Sequence, residues 1–361
     1  MKKSRIVQFT PAISFGDAVS NDIIAMSEVL TSLGYENEIV SIGIGNRVKQ
    51  KVIQFDKFRS REDDIFIYHM SIGSALTNYI INENVKKKIM VYHNITPQEF
   101  FEGFPPLKIA CQVGRIELEK LAPYMDFSMA DSDYNKEELD NLGYKNTVTL
   151  PIVFDKKEYL SVIPDEKIIK KYKKDDGYVN ILFVGRIAPN KKHQDIITSF
   201  HFYNKYINPK SRLFLVGAAN SLEVYKDSLD EYIKVNEIQN VFFSGHVKFP
   251  EIIAYYKIAD LFLCESEHEG FCVPLLEAMT FDIPILAYHS SAIPYTLGNS
   301  GVIFREKDHK VVAEIINSIV TDEKLKTEII RKQKERLDFF DINKTKEKFS
   351  KMISFWLNEM E

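Results

Sequence analysis

The segment VGRIAPNKK, residues 184–192, places a glycine just ahead of basic side chains. Gly185 ends an apolar run typical of a strand, and Arg186 and Lys191 follow on the next loop. Glycine lets a ligand approach the backbone, and guanidinium and ammonium groups donate hydrogen bonds to phosphate oxygens. The segment therefore predicts an anion site. In isolation a Gly-Arg pair is more often an ordinary charged loop, so this interpretation depends on a second segment.

The second segment is SEHEGFCVPLLEAM, residues 266–279, which follows another strand-like apolar run. Pro274 suits the first turn of a helix. The amides of Phe271, Cys272 and Val273 are then expected at the positive end of that helix. Because a helix N-terminus of this kind binds anions, the two segments together predict a phosphate site.

Two carboxylates bracket this turn, Glu269 on the loop before it and Glu277 within the new helix. A carboxylate beside an anion site is unfavourable unless hydroxyl groups donate to it, and sugar and ribose hydroxyls are such donors. The alternative makes Glu277 a dipole partner of its own helix and Glu269 a solvated loop charge. That alternative explains each residue alone but not their joint placement around Gly270.

The elements that must position these residues are two series of strand patterns that alternate with helical patterns. Strands are predicted at residues 4–10, 36–42, 64–69, 88–92, 127–130 and 146–150, and then at 179–184, 212–216, 241–244, 261–264, 285–287 and 302–304. The sequence thus predicts an α/β protein of two Rossmann-like, doubly wound parallel-sheet domains. We expect them to face each other across a cleft at the carboxyl ends of their strands, where a ligand spans both halves.

The predicted domains are residues 1–165 and residues 176–338. A segment with five lysines, residues 167–174, lies between them and is interpreted as a solvated helix or hinge rather than a phosphate patch. A helix before Gly34 is predicted from the spacing of Val19, Ile23, Met26, Leu30 and Leu33. Residues 339–361 are predicted to form a helix that packs back on the N-terminal domain, through the stripe Phe349, Met352, Ile353, Trp356 and Leu357.

Composition excludes several classes of protein. The 361 residues carry 47 basic and 51 acidic side chains and a formal charge of −4, which would not attract nucleic acid or an anionic membrane. Three cysteines are too few, and too apolar in setting, for a disulfide framework or a zinc cage, and they fit a reducing cytosol. Neither a signal peptide nor a membrane-spanning run is predicted. Contact with the inner face of the cell membrane would be peripheral.

GRIAPNKK and EGFCVPLLEAM resemble the donor-binding signatures of family 4 glycosyltransferases, which are retaining enzymes of the GT-B fold. The step from Gly185 to Lys191 and the step from Glu269 to Glu277 match the family pattern. SGHV at residues 244–247, with Tyr256, Ala259 and Asp260 after it, and residues 291–301 also fit. In the N-terminal half, YHNITP at 92–97 and FGDAVSND at 15–22 resemble family segments. The chain departs from the pattern at the first loop, which has only Gly16, and at Cys272, where glycine is common.

The resemblance implies a role for each matched residue. Arg186 and Lys191 would hold the diphosphate, Glu277 the ribose and Glu269 a hydroxyl of the donor sugar. The backbone at Gly16, Gly185, Gly270, Phe271, Cys272 and Val273 would complete the donor site. His93 would act near the donor sugar, with Asp17 and Asn94 on the acceptor side. Neither a metal nor a further cofactor is implied.

Three other patterns have simpler interpretations. His69, at the end of a strand, is read as a structural histidine. Asp131 and Asp133 imitate an Asp-x-Asp metal site, but Ser132 or Asp133 is better explained as a helix N-cap. SIGIGN at residues 41–46 has no third glycine at dinucleotide spacing, so a nicotinamide site is rejected.

The predicted function is transfer of a hexosyl residue from a UDP- or GDP-sugar to a saccharide or lipid-linked saccharide of a surface glycan. A nucleotide-sugar epimerase or a phosphorylase of the same fold is the main alternative among enzymes. A silent partner subunit that binds a sugar nucleotide is the alternative from a different class. The sequence names neither the base, nor the sugar, nor the acceptor.

Overall fold

The structure, a computed structural model, describes residues 4–14, 16–172 and 176–358. The chain divides into two compact units, Met1–Phe154 with Phe340–Glu361, and Asp155–Phe339. The first division precedes the predicted domain end at residue 165, because the short helix after Asp155 packs against a helix of the second unit. Of the lysine-rich segment 167–174, the residues up to Lys171 lie in a helix, whereas 173–174 fall outside the described residues.

The first unit contains a parallel sheet that has seven strands among the described residues. They are β1 Ile6–Ile13, β2 Asn37–Ile44, β3 Val52–Gln54, β4 Ile65–Met70, β5 Lys87–Tyr92, β6 Phe127–Ala130 and β7 Thr147–Thr149, in the order β3-β2-β1-β4-β5-β6-β7. The helices between them are α1 Ala18–Ser32, α2 Leu76–Asn82, α3 Pro105–Leu121 and α4 Asp133–Asn141. Sequence analysis missed β3, a half-buried edge strand too short to show an alternating pattern.

The second unit contains a parallel sheet that has six strands in the part of the chain the structure describes. Its helices before the first strand are α5 Lys156–Ser161 and α6 Glu166–Lys171. The strands are β8 Val179–Val184, β9 Ser211–Val216, β10 Val241–Gly245, β11 Leu261–Cys264, β12 Ile285–Tyr288 and β13 Val302–Phe304, in the order β10-β9-β8-β11-β12-β13. The remaining helices are α7 His193–Tyr206, α8 Glu223–Val235, α9 Phe249–Ile258, α10 Val273–Thr280, α11 Ile293–Leu297, α12 His309–Thr321 and α13 Glu323–Phe339.

The last helix, α14 Ile342–Asn358, returns to the first unit. Its apolar stripe buries Phe349, Ile353 and Trp356 in the same core as Met26 of α1. The Trp356 ring stacks on Phe127 with the ring centroids 4.6 Å apart. The stripe thus forms part of the core of the first unit, since an exposed face of that size would be unfavourable in water.

Candidate functional site

The two segments that suggested an anion site follow adjacent strands of the second sheet. β8 and β11 pair through Ile181 and Leu261, although β9 and β10 lie between them in the sequence. The strand order reverses its direction here, which makes this pair the topological switch point of the sheet. Ligands of open α/β sheets bind outside the carboxyl ends of the strands at such a point. The fold therefore brings VGRIAPNKK and SEHEGFCVPLLEAM to one edge.

Gly185 follows β8 and lies in very close contact with Gly217, the residue that follows β9. The Gly185 amide donates a hydrogen bond of 2.9 Å to the Val216 carbonyl. A Cβ atom added to Gly217 would lie 2.0 Å from the Gly185 carbonyl oxygen, a distance that no side chain can adopt. The backbone at the end of β8 is thus packed on a second glycine that sequence analysis did not single out.

A short turn places Lys191 against Glu269. The Lys191 ammonium lies 2.5 Å from a carboxylate oxygen of Glu269, which is 7% exposed. Asn190 joins the two loops, because its side-chain amide donates to the His268 carbonyl (3.0 Å) and its own carbonyl accepts from the Glu267 amide (2.9 Å). The fold brings together a cation and an anion that are far apart in the sequence.

Charge balance at this pair depends on both partners. Burial disfavours the ammonium of Lys191, but Glu269 and then Cys272 raise its pKa above the ordinary lysine value. Lys191 is therefore a cation at neutral pH. Removing either partner of such a pair leaves an uncompensated charge in a poorly hydrated place, which is strongly unfavourable.

Helix α10 begins at Val273, with Pro274 in its first turn as predicted. Cys272 precedes it in the left-handed region, at φ 70° and ψ 65°, a conformation that costs a non-glycine residue about 1–2 kcal/mol. The side chain of Arg186 is exposed at the same edge of the sheet. Loop, helix N-terminus and guanidinium thus lie on one side of the second unit, and groups of this kind bind anions.

Two tyrosines hold Glu277, which lies on the second turn of α10. The Tyr159 hydroxyl of α5 donates to one carboxylate oxygen at 2.8 Å, and the Tyr256 hydroxyl of α9 donates to the other. Burial raises the pKa of Glu277, and the two hydroxyls work in the opposite direction. Each oxygen keeps a lone pair for a further donor, so Glu277 is an oriented acceptor.

In the first unit, His93 is the centre of a buried hydrogen-bonded chain. His93 Nε2 lies 3.0 Å from His69 Nδ1, and His93 Nδ1 lies 2.9 Å from Asp131 Oδ2. His69 Nε2 lies 3.0 Å from the side-chain oxygen of Gln8, whose amide nitrogen donates to the Ile23 carbonyl. The four side chains that form this hydrogen-bonded series, those of Gln8, His69, His93 and Asp131, are all buried.

These contacts assign the protons. The Gln8 oxygen accepts, so His69 Nε2 donates and His69 Nδ1 accepts from His93. Burial, followed by the charge of His93, holds the pKa of His69 well below its usual value, so His69 is neutral. Burial lowers the pKa of His93, but Asp131 outweighs it and the net pKa of His93 is raised. Burial raises the pKa of Asp131 as well, so the His93–Asp131 pair shares a proton inside the first unit.

Asp22 completes this cluster. It is 1% exposed, and one of its oxygens accepts from the Val153 amide at 2.9 Å. Burial raises its pKa to about 7, and the charge of His93 acts in the opposite direction. The structural interpretation given to His69 agrees with its position. The direct sugar contact expected of His93 stays a prediction, because its ring nitrogens already have partners within the first unit.

The other residues expected on the acceptor side also have local partners. Asp17 is the N-cap of α1 and accepts from the Ser20 amide at 2.9 Å and from the Ser20 hydroxyl at 2.8 Å. Gly16 precedes it at φ 78°, and Phe15 of the same predicted loop lies outside the described residues. The Asn94 amide donates to Asn135 at 2.8 Å. Their roles toward an acceptor stay predictions.

The N-cap interpretation of the Asp-x-Asp sequence is confirmed. Ser132 caps α4, and its hydroxyl accepts from the Asn135 amide at 3.2 Å. Asp131 pairs with His93, whereas Asp133 accepts from the Thr149 hydroxyl, so the two carboxylates serve different neighbours. Among the described residues, no helix is both long and apolar enough to cross a bilayer.

Sequence analysis did not predict that Tyr159 and Tyr256 donate to Glu277, or that Asp131 pairs with His93. It also gave no sign that Cys264 and Cys272 come together. Local patterns identify residues that face a core or end a strand, but these contacts join distant segments.

Comparison with known proteins finds similarity to glycosyltransferases. Residues 164–336 match the family model described as glycosyl transferases group 1. The chain is 28% identical over 68% of its length to the capsular polysaccharide biosynthesis glycosyltransferase CapM of Staphylococcus aureus, of which the match covers 66%. It is 31% identical over 40% of its length to alpha-monoglucosyldiacylglycerol synthase of Acholeplasma laidlawii, of which it covers 35%. The chain thus spans less than two thirds of either relative.

Solved structures resemble the whole chain. Sucrose-phosphate synthase from Thermosynechococcus elongatus superposes with a TM-score of 0.77 at 13% identity, over 98% of this chain and 99% of that one. Anabaena Alr3699/HepE, solved in complex with UDP and glucose, superposes with a TM-score of 0.76 at 17% identity, over 97% and 99%. At such identities the likeness shows the fold. The prediction of two Rossmann-like parallel-sheet domains is confirmed.

Proposed function

We propose that this chain, which has the GT-B fold and whose residues 164–336 match the glycosyl transferases group 1 family model, is a glycosyltransferase. Its donor is a nucleotide diphosphate sugar and its product a glycoside with retained anomeric configuration. The observation that carries the proposal is the pairing of Lys191 with Glu269 beside the N-terminus of α10, at the switch point of the second sheet.

The donor is held by charge and by hydroxyl recognition. Lys191, Arg186 and the backbone around Gly270 neutralise the diphosphate. Glu277, oriented by two tyrosines, accepts from the ribose, and Glu269 accepts from a hydroxyl of the sugar. The complex of Alr3699/HepE with UDP and glucose favours a uridine nucleotide and a hexose, while a GDP-sugar fits the same contacts.

The reaction breaks the bond between the anomeric carbon and the diphosphate oxygen and forms a bond to an acceptor hydroxyl. Negative charge grows on the leaving diphosphate, where Lys191, Arg186 and the helix N-terminus stabilise it without a metal ion. The acceptor attacks from the face that the diphosphate leaves, and its proton passes to a leaving phosphate oxygen. Fixed donors of this kind commonly make the largest contribution to catalysis.

The acceptor is a saccharide or a lipid-linked saccharide of a surface glycan. The name of the S. aureus relative, a capsular polysaccharide biosynthesis enzyme, supports a glycan, and that of the A. laidlawii relative supports a lipid-linked substrate. The first unit binds this acceptor, with Asp17, His93 and Asn94 on its side. A lipid-linked acceptor would keep the enzyme in the cytoplasm at the inner face of the membrane through peripheral contact.

Adjacent residues of like charge provide matched controls for the test. Lys192 is paired with Glu267 at 3.0 Å, and Glu267 also pairs with Lys307 at 2.9 Å, so Lys192→Ala and Glu267→Gln change the charge of a neighbouring ion pair and leave the side chains of Lys191 and Glu269 in place. We expect Lys191→Ala and Glu269→Gln to lower the rate of donor turnover by about 100-fold, about 3 kcal/mol in the barrier. The controls should stay within about threefold of wild type, because their pair is half-buried at the rim of the site and Lys192 and Glu267 are assigned no contact with the donor.

The assay follows UDP or GDP released from a panel of sugar nucleotides, and proton NMR of the product gives its anomeric configuration. Wild-type turnover in Lys191→Ala would refute the assignment. Conversion of the donor without an acceptor would indicate the epimerase, and dependence on free phosphate would indicate the phosphorylase. Tight nucleotide binding without turnover of any donor would favour the silent partner subunit.

A further inference from the structure

The three cysteines do not share one setting. Cys111 lies in the core of the first unit, whereas Cys264 and Cys272 belong to the second. Cys264 is the last residue of β11, and Cys272 is the residue from which α10 starts. Their two sulfur atoms lie within 4.8 Å of each other and of a carboxylate oxygen of Glu269. Strand end, loop and helix start thus converge on a buried set of two sulfurs and one oxygen.

Two thiolates and a carboxylate are a set of ligands suited to a thiophilic divalent cation. A tetrahedral zinc ion with Zn–S bonds of about 2.3 Å separates its two sulfurs by about 3.8 Å, which falls inside the 4.8 Å limit that holds for these ligand atoms. The fourth position is left for water. We propose that Cys264, Cys272 and Glu269 form a Zn²⁺ site that competes with the ammonium of Lys191.

The cluster already attracts a cation. Lys191 pairs with Glu269, and its ammonium is near enough to both thiols for each to favour its charge. Its side chain is 21% exposed, while Glu269 beneath it is 7% exposed. An ion can therefore reach the sulfurs from the side of Lys191, whose flexible stem can turn outward into solvent.

The two thiols contact each other, since each hydrogen-bonds the other. Zinc binds thiolates, so metal binding displaces protons and the affinity should rise with pH.

Occupancy would switch off the donor site. Glu269, Lys191 and the backbone at Cys272 are the groups assigned to the donor, so this consequence rests on the proposed function. The metal site itself does not, because its ligands and geometry are independent of any nucleotide. Zinc in the cytosol would then hold the enzyme inactive until a chelator or thiol buffer removed it.

Cobalt substitution tests the site without an activity assay, since cobalt–thiolate bonds give intense near-ultraviolet charge-transfer bands. Co²⁺ is titrated into the full chain under reducing conditions, and Zn²⁺ then displaces it. We expect one equivalent bound in wild type and in Cys111→Ser, and about 100-fold weaker binding in Cys264→Ser and Cys272→Ser. Lys191→Met should bind about tenfold more tightly, because it removes the competing cation.

Thiol labelling covers the case in which a serine variant does not fold. In wild type, Zn²⁺ should slow modification of Cys264 and Cys272 at least severalfold and leave Cys111 unchanged. Cobalt–thiolate bands that persist in both serine variants would overturn the metal site. Thiol labelling of Cys264 and Cys272 that zinc does not slow would also overturn it. Inhibition is compared with each variant's own zinc-free rate. Equal inhibition of wild type and Cys264→Ser would overturn the regulatory consequence, and absence of any transfer would count against the proposed function alone.

Discussion

Tyr159 of α5 donates a 2.8 Å hydrogen bond to Glu277 of α10, across 118 positions of sequence. The Tyr159 ring also packs edge-on against Phe249 at 5.1 Å, which fixes the direction of its hydroxyl. This contact explains why α5 belongs to the second unit although the sequence assigned residues up to 165 to the first. The short helix completes the surroundings of the carboxylate that we assign to ribose.

Tyr159→Phe removes one donor from Glu277 and leaves the ring in place. We expect affinity for the nucleotide diphosphate to fall about fivefold, or about 1 kcal/mol, because the carboxylate is less well oriented. The affinity ratio between UDP and 2′-deoxy-UDP, measured by calorimetry, should also shrink. Tyr206→Phe, at a tyrosine 67% exposed, is the control. An unchanged affinity ratio in Tyr159→Phe would contradict the assignment of Glu277 to the ribose.

Gly217→Ala should distort the end of β8. The new Cβ would lie 2.0 Å from a backbone oxygen, which cannot turn away as a side chain can. We expect a loss of about 3 kcal/mol or more in the free energy of unfolding, measured with urea. Gly245→Ala is the control, since its φ of 64° is strained but no atom lies within 4 Å, and it should cost about 1 kcal/mol. Equal losses would contradict this explanation.

Glu265 makes stability depend on pH. It is fully buried, and neither of its oxygens accepts a hydrogen bond of normal geometry from the part of the chain that the structure describes. Burial raises its pKa from 4.5 to about 7, against the effect of the nearby Ser199 hydroxyl. The folded protein therefore binds more protons than the unfolded chain between these values, so stability falls as pH rises through that window. Glu265→Gln should match wild type near pH 4 and exceed its stability at pH 8 by up to about 3 kcal/mol.

Glu267 provides the opposite sign as a control for that experiment. Burial raises the pKa of Glu267, but hydrogen bonds from Lys307 and Lys192 outweigh burial and hold this pKa below its usual value. Its ionised form therefore stabilises the fold at neutral pH, and that contribution is lost as pH falls. Glu267→Gln should lower the melting temperature slightly at pH 8. The same trend in both variants would contradict the assigned cause.

Trp356→Ala tests how the first unit depends on its last helix. The indole is 4% exposed and stacks on Phe127, so truncation should cost about 3–5 kcal/mol. Phe355→Ala removes a ring that is 57% exposed on the same turn and should change stability by no more than about 0.5 kcal/mol. Urea unfolding followed by far-ultraviolet circular dichroism measures both. A small effect at Trp356 would mean that α14 is dispensable to that core.

The strands were predictable because both sheets are parallel and covered by helices, which gives short, continuous apolar runs with little ambiguity. Each predicted strand from 179–184 to 302–304 lies within one or two residues of its observed position. The exception, β3, lies at the sheet edge, where three half-buried residues give no pattern. Helix α10 was equally predictable, because Pro274 marks its first turn.

The sequence alone determined the two-domain α/β architecture, the glycine and lysine after one strand, and the two glutamates around one helix start. Those features are local, since they depend on backbone propensity, hydrophobic period and spacing along a few turns. Only tertiary structure decided that Lys191 pairs with Glu269, that two tyrosines hold Glu277, that two cysteines meet, and that His93 is enclosed by His69 and Asp131. Such contacts join segments through the strand order of a sheet, which no local pattern records.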